Sequence, residues 1–274
     1  MRDFLASDRV PLPDQADGLR RLFAGAGTQF IAVAANPEVA FAGLALERLA
    51  AAALSHGADP ERRVLVVDAA AGTPQEMAAL DLASCVEPIA ERLDYLAARG
   101  LPLRHVDARG SCEAFLDALQ QAAPRCAVVI VHAPAGELGR VFARRNARPL
   151  LLAADHPASV TSAYANMKLL AQRHGLMAFD LLLVAAADSP RSSRIAEQLA
   201  ATADRFAGAV LRDWAAIDPA ARGDLPPALR RLAQGLLADD PALHAATATA
   251  AARDSARAGA PLGTRTTIHM SHAR

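Results

Sequence analysis

The sequence predicts an α/β fold in which a doubly wound, mostly parallel sheet is covered by helices on both faces. Short apolar runs that do not alternate with polar residues are typical of strands buried on both faces. Longer segments with helical spacing lie between these runs, and this alternation is typical of βαβ units. The alternation persists from Phe30 to about Ile217 without a linker, so we expect a single α/β domain.

Five apolar runs are predicted to be the buried strands. They read FIAVAA, RVLVVDA, CAVVIVHA, PLLLAA and DLLLVAAA, at 30–35, 63–69, 126–133, 149–154 and 180–187. Two weaker strands are expected at LPLRHVDA (101–108) and AVLRDWAAI (209–217).

Helices are predicted between and after the strands, where apolar residues recur at a spacing of three or four. They cover 37–57, 111–123, 157–175, 189–208 and 226–237. Three of these segments close on glycine, at Gly57, Gly175 and Gly208, and glycine is a frequent helix stop.

Composition divides the chain into an N-terminal arm (1–27), the α/β domain (28–238) and a tail (239–274) of Ala, Thr and Arg that is expected to be disordered. The 29 basic residues balance the 29 acidic ones, so no global charge favours nucleic acid or an anionic membrane. Three cysteines without metal-binding spacing predict no metal site. No apolar run approaches the ~20 residues of a membrane helix, and no signal sequence is evident, so a cytoplasmic protein is expected.

The loop after the first strand, NPEVAFAGLA, lies where α/β proteins bind phosphates. A phosphate loop needs several glycines, a lysine and a Ser or Thr, whereas this loop has one glycine and neither of the others. Pro37 removes a backbone donor, Glu38 adds a repelling charge, and the only lysine, Lys168, falls inside a predicted helix. We interpret Asn36-Pro37-Glu38 as a helix start with Asn36 as the N-cap.

The arm contains the stretch DQADGLRR at 14–21. It resembles the DQAxGLR signature of the FlhG (FleN, YlxH) family, regulators of flagellar number and placement within the MinD/ParA-like P-loop ATPases. The positions that match the signature are Asp14, Gln15, Ala16, Gly18, Leu19 and Arg20.

The resemblance extends over roughly 14–237 and implies a MinD/ParA-like three-layer sandwich. RVLVVDAAAGTPQ is similar to the family's second strand, RVLLLDADLGLAN, with Asp68 at its first aspartate. CAVVIVHAPAGEL resembles DFVLIDTGAGIS, and LLLAADHPASVTSAYANMKLL resembles TTPEPTSITDAYALIKLL.

The departures from the family pattern fall at its nucleotide positions. The loop from Asn36 replaces GKGGVGKT, His132 replaces the aspartate that senses the γ-phosphate and magnesium, and Pro134 replaces a glycine. Ala185 and Ala186 lie where the family has the asparagine that reads the base. Joint loss of these positions predicts a pseudo-ATPase without a cofactor, whereas intact members use ATP and magnesium.

The resemblance also implies a role for the arm. In the family this segment inserts into the SRP-type GTPase FlhF and stimulates GTP hydrolysis, and a glutamine supplied in trans can orient the attacking water. Gln15 would then be the working residue, and Arg20 or Arg21 the anchoring charge. Other flagellar assembly proteins are further implied partners, and the inner membrane at the cell pole is an implied location. Without the resemblance, the arm is interpreted as a short helix capped by Asp14.

Several alternatives stay open at this point. The chain is alternatively an ATPase switch with an unusual nucleotide site and a membrane-bound dimer state, or an architectural partner-binding domain. The helix at 226–237 either packs on the domain or contacts a membrane or partner. Its apolar stripe holds Leu229, Leu232 and Leu236, and its polar face holds Arg230 and Arg231.

Two histidines allow a chemical as well as a structural interpretation. His132 is either a base or metal ligand, or a hydrogen-bonded histidine at a strand end, and the second is favoured because no partner ligands lie near it in sequence. His105 and Asp107 would share a face of the weak strand at 101–108, but no nucleophile accompanies them.

Overall fold

The structure is a computed structural model that describes residues 28–56, 60–70, 81–145, 147–186 and 189–238. The arm with its DQADGLRR motif, the segment 71–80 and the tail from 239 onward lie outside the described residues. The predictions made for the arm and the tail therefore stay predictions.

The described part of the chain contains one eight-stranded sheet, and every neighbouring pair of strands is parallel except β3 with β4. The order across the sheet is β3-β4-β2-β5-β1-β6-β7-β8. The strands are β1 Gln29–Ala34, β2 Arg63–Asp68, β3 Glu87–Ala90, β4 Leu93–Ala97, β5 Cys126–Ala133, β6 Leu150–Ala154, β7 Ala178–Val184 and β8 Val210–Ile217.

Helices cover both faces of the sheet, because its central strands bury side chains on both sides. The helices are α1 Ala42–Leu54, α2 Ala114–Ala122, α3 Ala135–Val141, α4 Pro157–His174, α5 Arg191–Ala207 and α6 Pro227–Leu237, with 3-10 helices at Leu82–Cys85 and Pro102–His105. Helices α1 and α6 pack in the core on one face, and α2 to α5 pack in the core on the other. The predicted fold class, a doubly wound and mostly parallel sheet between two helical layers, is confirmed.

Glycine ends two of the long helices as predicted. The C-cap of α4 is Gly175 at φ +67°, and that of α5 is Gly208 at φ +60°. A left-handed backbone at this position lets the last turn close its carbonyl groups, and glycine adopts it without strain.

The weak strand predicted at 101–108 is wrong. Pro102–His105 forms a 3-10 helix instead, and the strand that pairs with β2 on the side away from β5 is β4, which begins eight residues earlier in the chain. His105 therefore shares no strand with Asp107: its ring lies 5.4 Å from that of Phe115, while the Asp107 carboxylate accepts the amides of Arg109 and Ser111. The sequence prediction also missed β3 and α3.

Candidate functional site

The carboxyl ends of β1, β2 and β5 meet at one edge of the sheet, where α/β proteins hold their ligands. Ala34 is the register partner of Ala133, and Asp68 is the register partner of His132. The residues that follow these strand ends, including Asn36 and Pro134, are thereby gathered at the same edge.

The side chain of Asn36 is buried and hydrogen-bonds to several parts of the chain, and it does not cap a helix. Its side-chain nitrogen donates hydrogen bonds to the carbonyl oxygen of Leu152 at 2.8 Å and to that of Ser159 at 2.9 Å, with the Ser159 hydroxyl at 3.1 Å. Its Oδ1 accepts the amide of Glu38 at 3.1 Å. The predicted helix start at Asn36 is therefore wrong: α1 begins at Ala42, with Phe41 as its N-cap. The Asn36 amide instead ties the end of β1 to β6 and to the first turn of α4.

Most backbone amides of the loop from 35 to 39 are hydrogen-bonded within the protein. The amide of Ala35 donates to Ala133, and that of Val39 donates to Asn36, while the Glu38 amide is held by the Asn36 side chain. Pro37 has no amide hydrogen, so four of the five residues offer no free amide. A phosphate cradle needs several such donors converging on the anion. These residues do not fit the triphosphate and magnesium that the family resemblance implies.

Two side chains from the α4 region fasten this loop from outside. Asn166 donates to the carbonyl oxygen of Ala35 at 2.8 Å. Nε2 of His156 lies 3.0 Å from the carbonyl oxygen of Glu38 and donates to it, while its Nδ1 accepts the amide of Ser159 as the N-cap of α4. Both ring nitrogens of His156 are therefore engaged within the protein.

Asp68 and His132 form a buried pair next to this loop. Nδ1 of His132 donates to Oδ1 of Asp68 at 2.9 Å, and the residues are 4% and 8% exposed, respectively. Asp68 also accepts the amide of Ala70 at 3.0 Å. A hydrogen bond joins it to the Tyr95 hydroxyl, whose pKa is raised by burial and by the Asp68 charge.

In this pair Nδ1 of the imidazole bonds to the carboxylate, which fixes the orientation of the ring. Nε2 is the nitrogen that the carboxylate does not contact. Nε2 is buried and has no hydrogen-bond partner among the described atoms. Across the described ranges, no group of three or more His, Cys, Asp and Glu side chains is placed to hold a metal ion.

The two other nucleotide positions have structural roles here. Pro134 is the N-cap of α3, and its carbonyl oxygen accepts the amides of Glu137 and Leu138. The amide of Ala185 continues the sheet by donating to Ile217. Neither Ala185 nor Ala186 has a side chain that could read a base.

Sequence reasoning missed Ser159, His156, Asn166 and Tyr95. The first three stand in HPASVTSAYAN, for which the sequence predicts a helix from 157 and a resemblance to the family, but no contact with the loop after β1. Its polar residues at the loop-facing positions were the available signal. Tyr95 lay in β4, a strand that was not predicted.

Helix α6 packs on the domain through its apolar stripe. Leu229 and Leu232 are buried in the core that α6 shares with α1, and Leu236 lies partly buried against it. Arg231 pairs with Asp213 on β8 at 2.8 Å, and Arg230 donates to the carbonyl oxygen of Leu225. Both the stripe and the arginines of this helix are therefore engaged by the domain itself.

Of the helices within the described ranges, none combines the length and the apolar character needed to cross a membrane.

No protein-family model matches the chain, and no curated protein matches its sequence. Solved structures with a similar backbone include a ParA family ATPase from Chlorobium tepidum, at 15% identity, 77% coverage of this chain, 98% of that one and a TM-score of 0.48. A plasmid partition protein from Borrelia burgdorferi matches at 10% identity, 77% and 96% coverage and a TM-score of 0.47. The MinC:MinD cell division protein complex of Aquifex aeolicus matches at 12% identity, 76% and 95% coverage and a TM-score of 0.49. At such identities and TM-scores, these similarities transfer no ligand, activity or partner to this chain.

Proposed function

We propose that this chain is an FlhG-like regulator of flagellar biosynthesis that acts by protein contacts and does not hydrolyse ATP. The observation that carries the proposal is the Asn36 amide, which bonds the end of β1 to Leu152 and Ser159 where a phosphate loop would have to open. Opening the loop for a triphosphate would break these bonds and leave buried carbonyl groups without donors, at a cost of about 1–3 kcal/mol for each group.

The attachment point of the arm supports a function that needs no nucleotide. The arm joins the domain at Thr28, whose hydroxyl bonds to the carbonyl oxygen of Cys126 at the start of β5. The nucleotide positions lie at the other ends of the same strands, about 20 Å away for a strand of this length. The residue at which the arm joins the domain is therefore remote from Asn36.

The activity proposed for the arm is stimulation of the SRP-type flagellar GTPase FlhF. Gln15 orients the attacking water in the partner's site, and Arg20 or Arg21 anchors the arm to the partner. This assignment rests on the match of the arm to the family signature.

GTP hydrolysis by FlhF, measured with and without this protein and with no ATP present, tests the proposal. We expect stimulation by the intact chain and a loss of at least about tenfold for Gln15→Ala, since a water-orienting group is removed. Gln121→Ala, at an exposed glutamine of α2, is the matched control and should stimulate fully. Equal stimulation by Gln15→Ala would overturn the role of Gln15. Binding to FlhF without any stimulation would favour the architectural alternative.

A further inference from the structure

A groove runs between α4 and α5 on the sheet face opposite α1. It consists of two adjoining cavities of about 510 Å³ and 400 Å³. Val160, Thr161 and Gln198 line both cavities, so the two form one continuous depression.

The α5 wall of this groove is a single helical stripe. Its residues are Arg191, Arg194, Ile195, Gln198, Leu199 and Thr202, which recur at a spacing of three or four. Eleven residues separate the first from the last, so the wall is about 16 Å long. Val160 and Tyr164 are partly buried and supply apolar surface along its length, and the buried side chains of Ile195 and Leu199 lie beneath.

One end of the groove is cationic. Arg191 and Arg194 are exposed, and neither guanidinium makes an ion pair or a hydrogen bond with any described residue. Asp155 lines the same end, and its carboxylate accepts a hydrogen bond from the neutral Ser189 hydroxyl at 2.9 Å, so two guanidinium groups face one carboxylate there. Two arginines that have no partner among the described residues thus stand beside an apolar channel.

The groove is separate from the buried site at Asn36. Within the part of the chain that the structure describes, only His156 belongs to both, and its two ring nitrogens already bond to Ser159 and Glu38. Ala185 and Ala186, at the base-reading positions, do not line it.

We propose that this groove binds a small amphiphilic anion. A carboxylate, sulfonate or phosphate group pairs with Arg191 and Arg194, and an apolar body lies along Val160, Tyr164 and Leu199. The cavities fall within the range of about 300–1,000 Å³ that small-molecule sites occupy. Arginine binds such anions through paired N–H groups, so the head group fixes the orientation and the apolar body adds affinity.

Fluorescence titration of the full chain with 1-anilinonaphthalene-8-sulfonate tests the proposal, because this dye joins a sulfonate to an apolar body. We expect one dye molecule per chain. The neutral analogue N-phenyl-1-naphthylamine should bind at least about tenfold more weakly, because charged hydrogen bonds to the arginines are lost. Inorganic phosphate should compete only at much higher concentration, since it lacks the apolar body.

Two variants locate the site. Arg191→Ala combined with Arg194→Ala should weaken dye binding at least about tenfold. Thr161→Trp should block it by filling the segment where the cavities meet. Lys168→Ala with Arg173→Ala removes two exposed cations from the other end of α4 and is the matched control, which should bind normally. Equal binding of the neutral analogue, or equal losses in the control and in the arginine variant, would overturn the proposal. Circular dichroism confirms that each variant is folded.

Discussion

The side-chain nitrogen of Asn36 lies 2.9 Å from the carbonyl oxygen of Ser159, although 123 residues separate the two in sequence. This bond joins the loop after the first strand to the first turn of α4, and both residues are buried. The edge of the sheet where a nucleotide would be expected is therefore closed by the chain's own polar groups.

Replacing Asn36 by alanine should destabilise the fold by about 2–3 kcal/mol, because two buried carbonyl groups and the Glu38 amide lose their partner. Urea unfolding measures the change. Glu38→Ala removes only an exposed side chain from the same loop and should stay within about 0.5 kcal/mol of the natural protein. Similar stabilities for both variants would show that the Asn36 bonds do not hold the loop.

The Asp68–His132 pair should be energetically coupled. Truncating either residue to alanine should cost about 3 kcal/mol, since the other is left buried with a lost partner. A double-mutant cycle on unfolding free energies should give a coupling of about 1–3 kcal/mol. The exposed pair Arg144–Asp107, with its nearest atoms 3.5 Å apart, is the control and should couple by less than about 0.5 kcal/mol. A coupling energy as small as that of the control would contradict the predicted interaction between Asp68 and His132.

Asp180 should make stability depend on pH. Burial raises its pKa to about 6, against the opposing attraction of Arg148, whose Nε lies 2.7 Å from its Oδ2. A raised folded-state pKa means that the unfolded chain gives up its proton first as pH rises. The stabilisation that this group contributes to the folded state is therefore fully present below about pH 4. It is lost as pH rises through about 6, which lowers the free energy of unfolding by about 3 kcal/mol.

Chemical unfolding between about pH 4.5 and pH 7 measures this effect. Relative to the natural protein, Asp180→Asn should gain stability across the range, because asparagine does not titrate. Asp107→Asn is the control of opposite sign: the hydrogen bonds from the Ser111 and Arg109 amides lower the pKa of Asp107, so that its contribution to stability is lost only at more acidic pH. If the stability difference between Asp180→Asn and the natural protein does not change with pH, the pKa assigned to Asp180 is contradicted.

Gly139 allows α3 to approach α4 closely. A Cβ at this position would overlap the His174 ring. Gly139→Ala should therefore cost about 1–3 kcal/mol through overpacking. Adding His174→Ala should recover part of this loss, and thermal unfolding of the single and double variants checks it. An equal loss in both backgrounds would exclude the clash as the cause.

The sequence alone predicted most of the sheet, because a buried parallel strand needs only a continuous apolar run, as in β5 and β7. It failed at β4, where Asp94 and Tyr95 interrupt the apolar pattern. Asp94 is buried, and Arg63 and the Cys126 thiol donate hydrogen bonds to it. Tyr95 is partly buried and forms a hydrogen bond with Asp68. Partners on other strands are invisible in a local pattern.

The sequence places Asn36 after the carboxyl end of the first strand, and the structure has it there, but the contacts that it makes were only partly predictable. An Asn-Pro-Glu sequence suits both a helix N-cap and a turn in which the asparagine accepts the amide two residues on. The choice was decided by Leu152 and Ser159, which are more than 100 residues away in sequence. The pairing of Asp68 with His132 likewise follows from the strand order, which places β2 beside β5.

Isothermal titration calorimetry of the full chain with ATP and magnesium tests the central claim most directly. We predict no binding heat beyond dilution, because the loop amides and the Asn36 side chain are already bonded within the protein. Tight binding that requires magnesium would contradict the account and favour the ATPase switch.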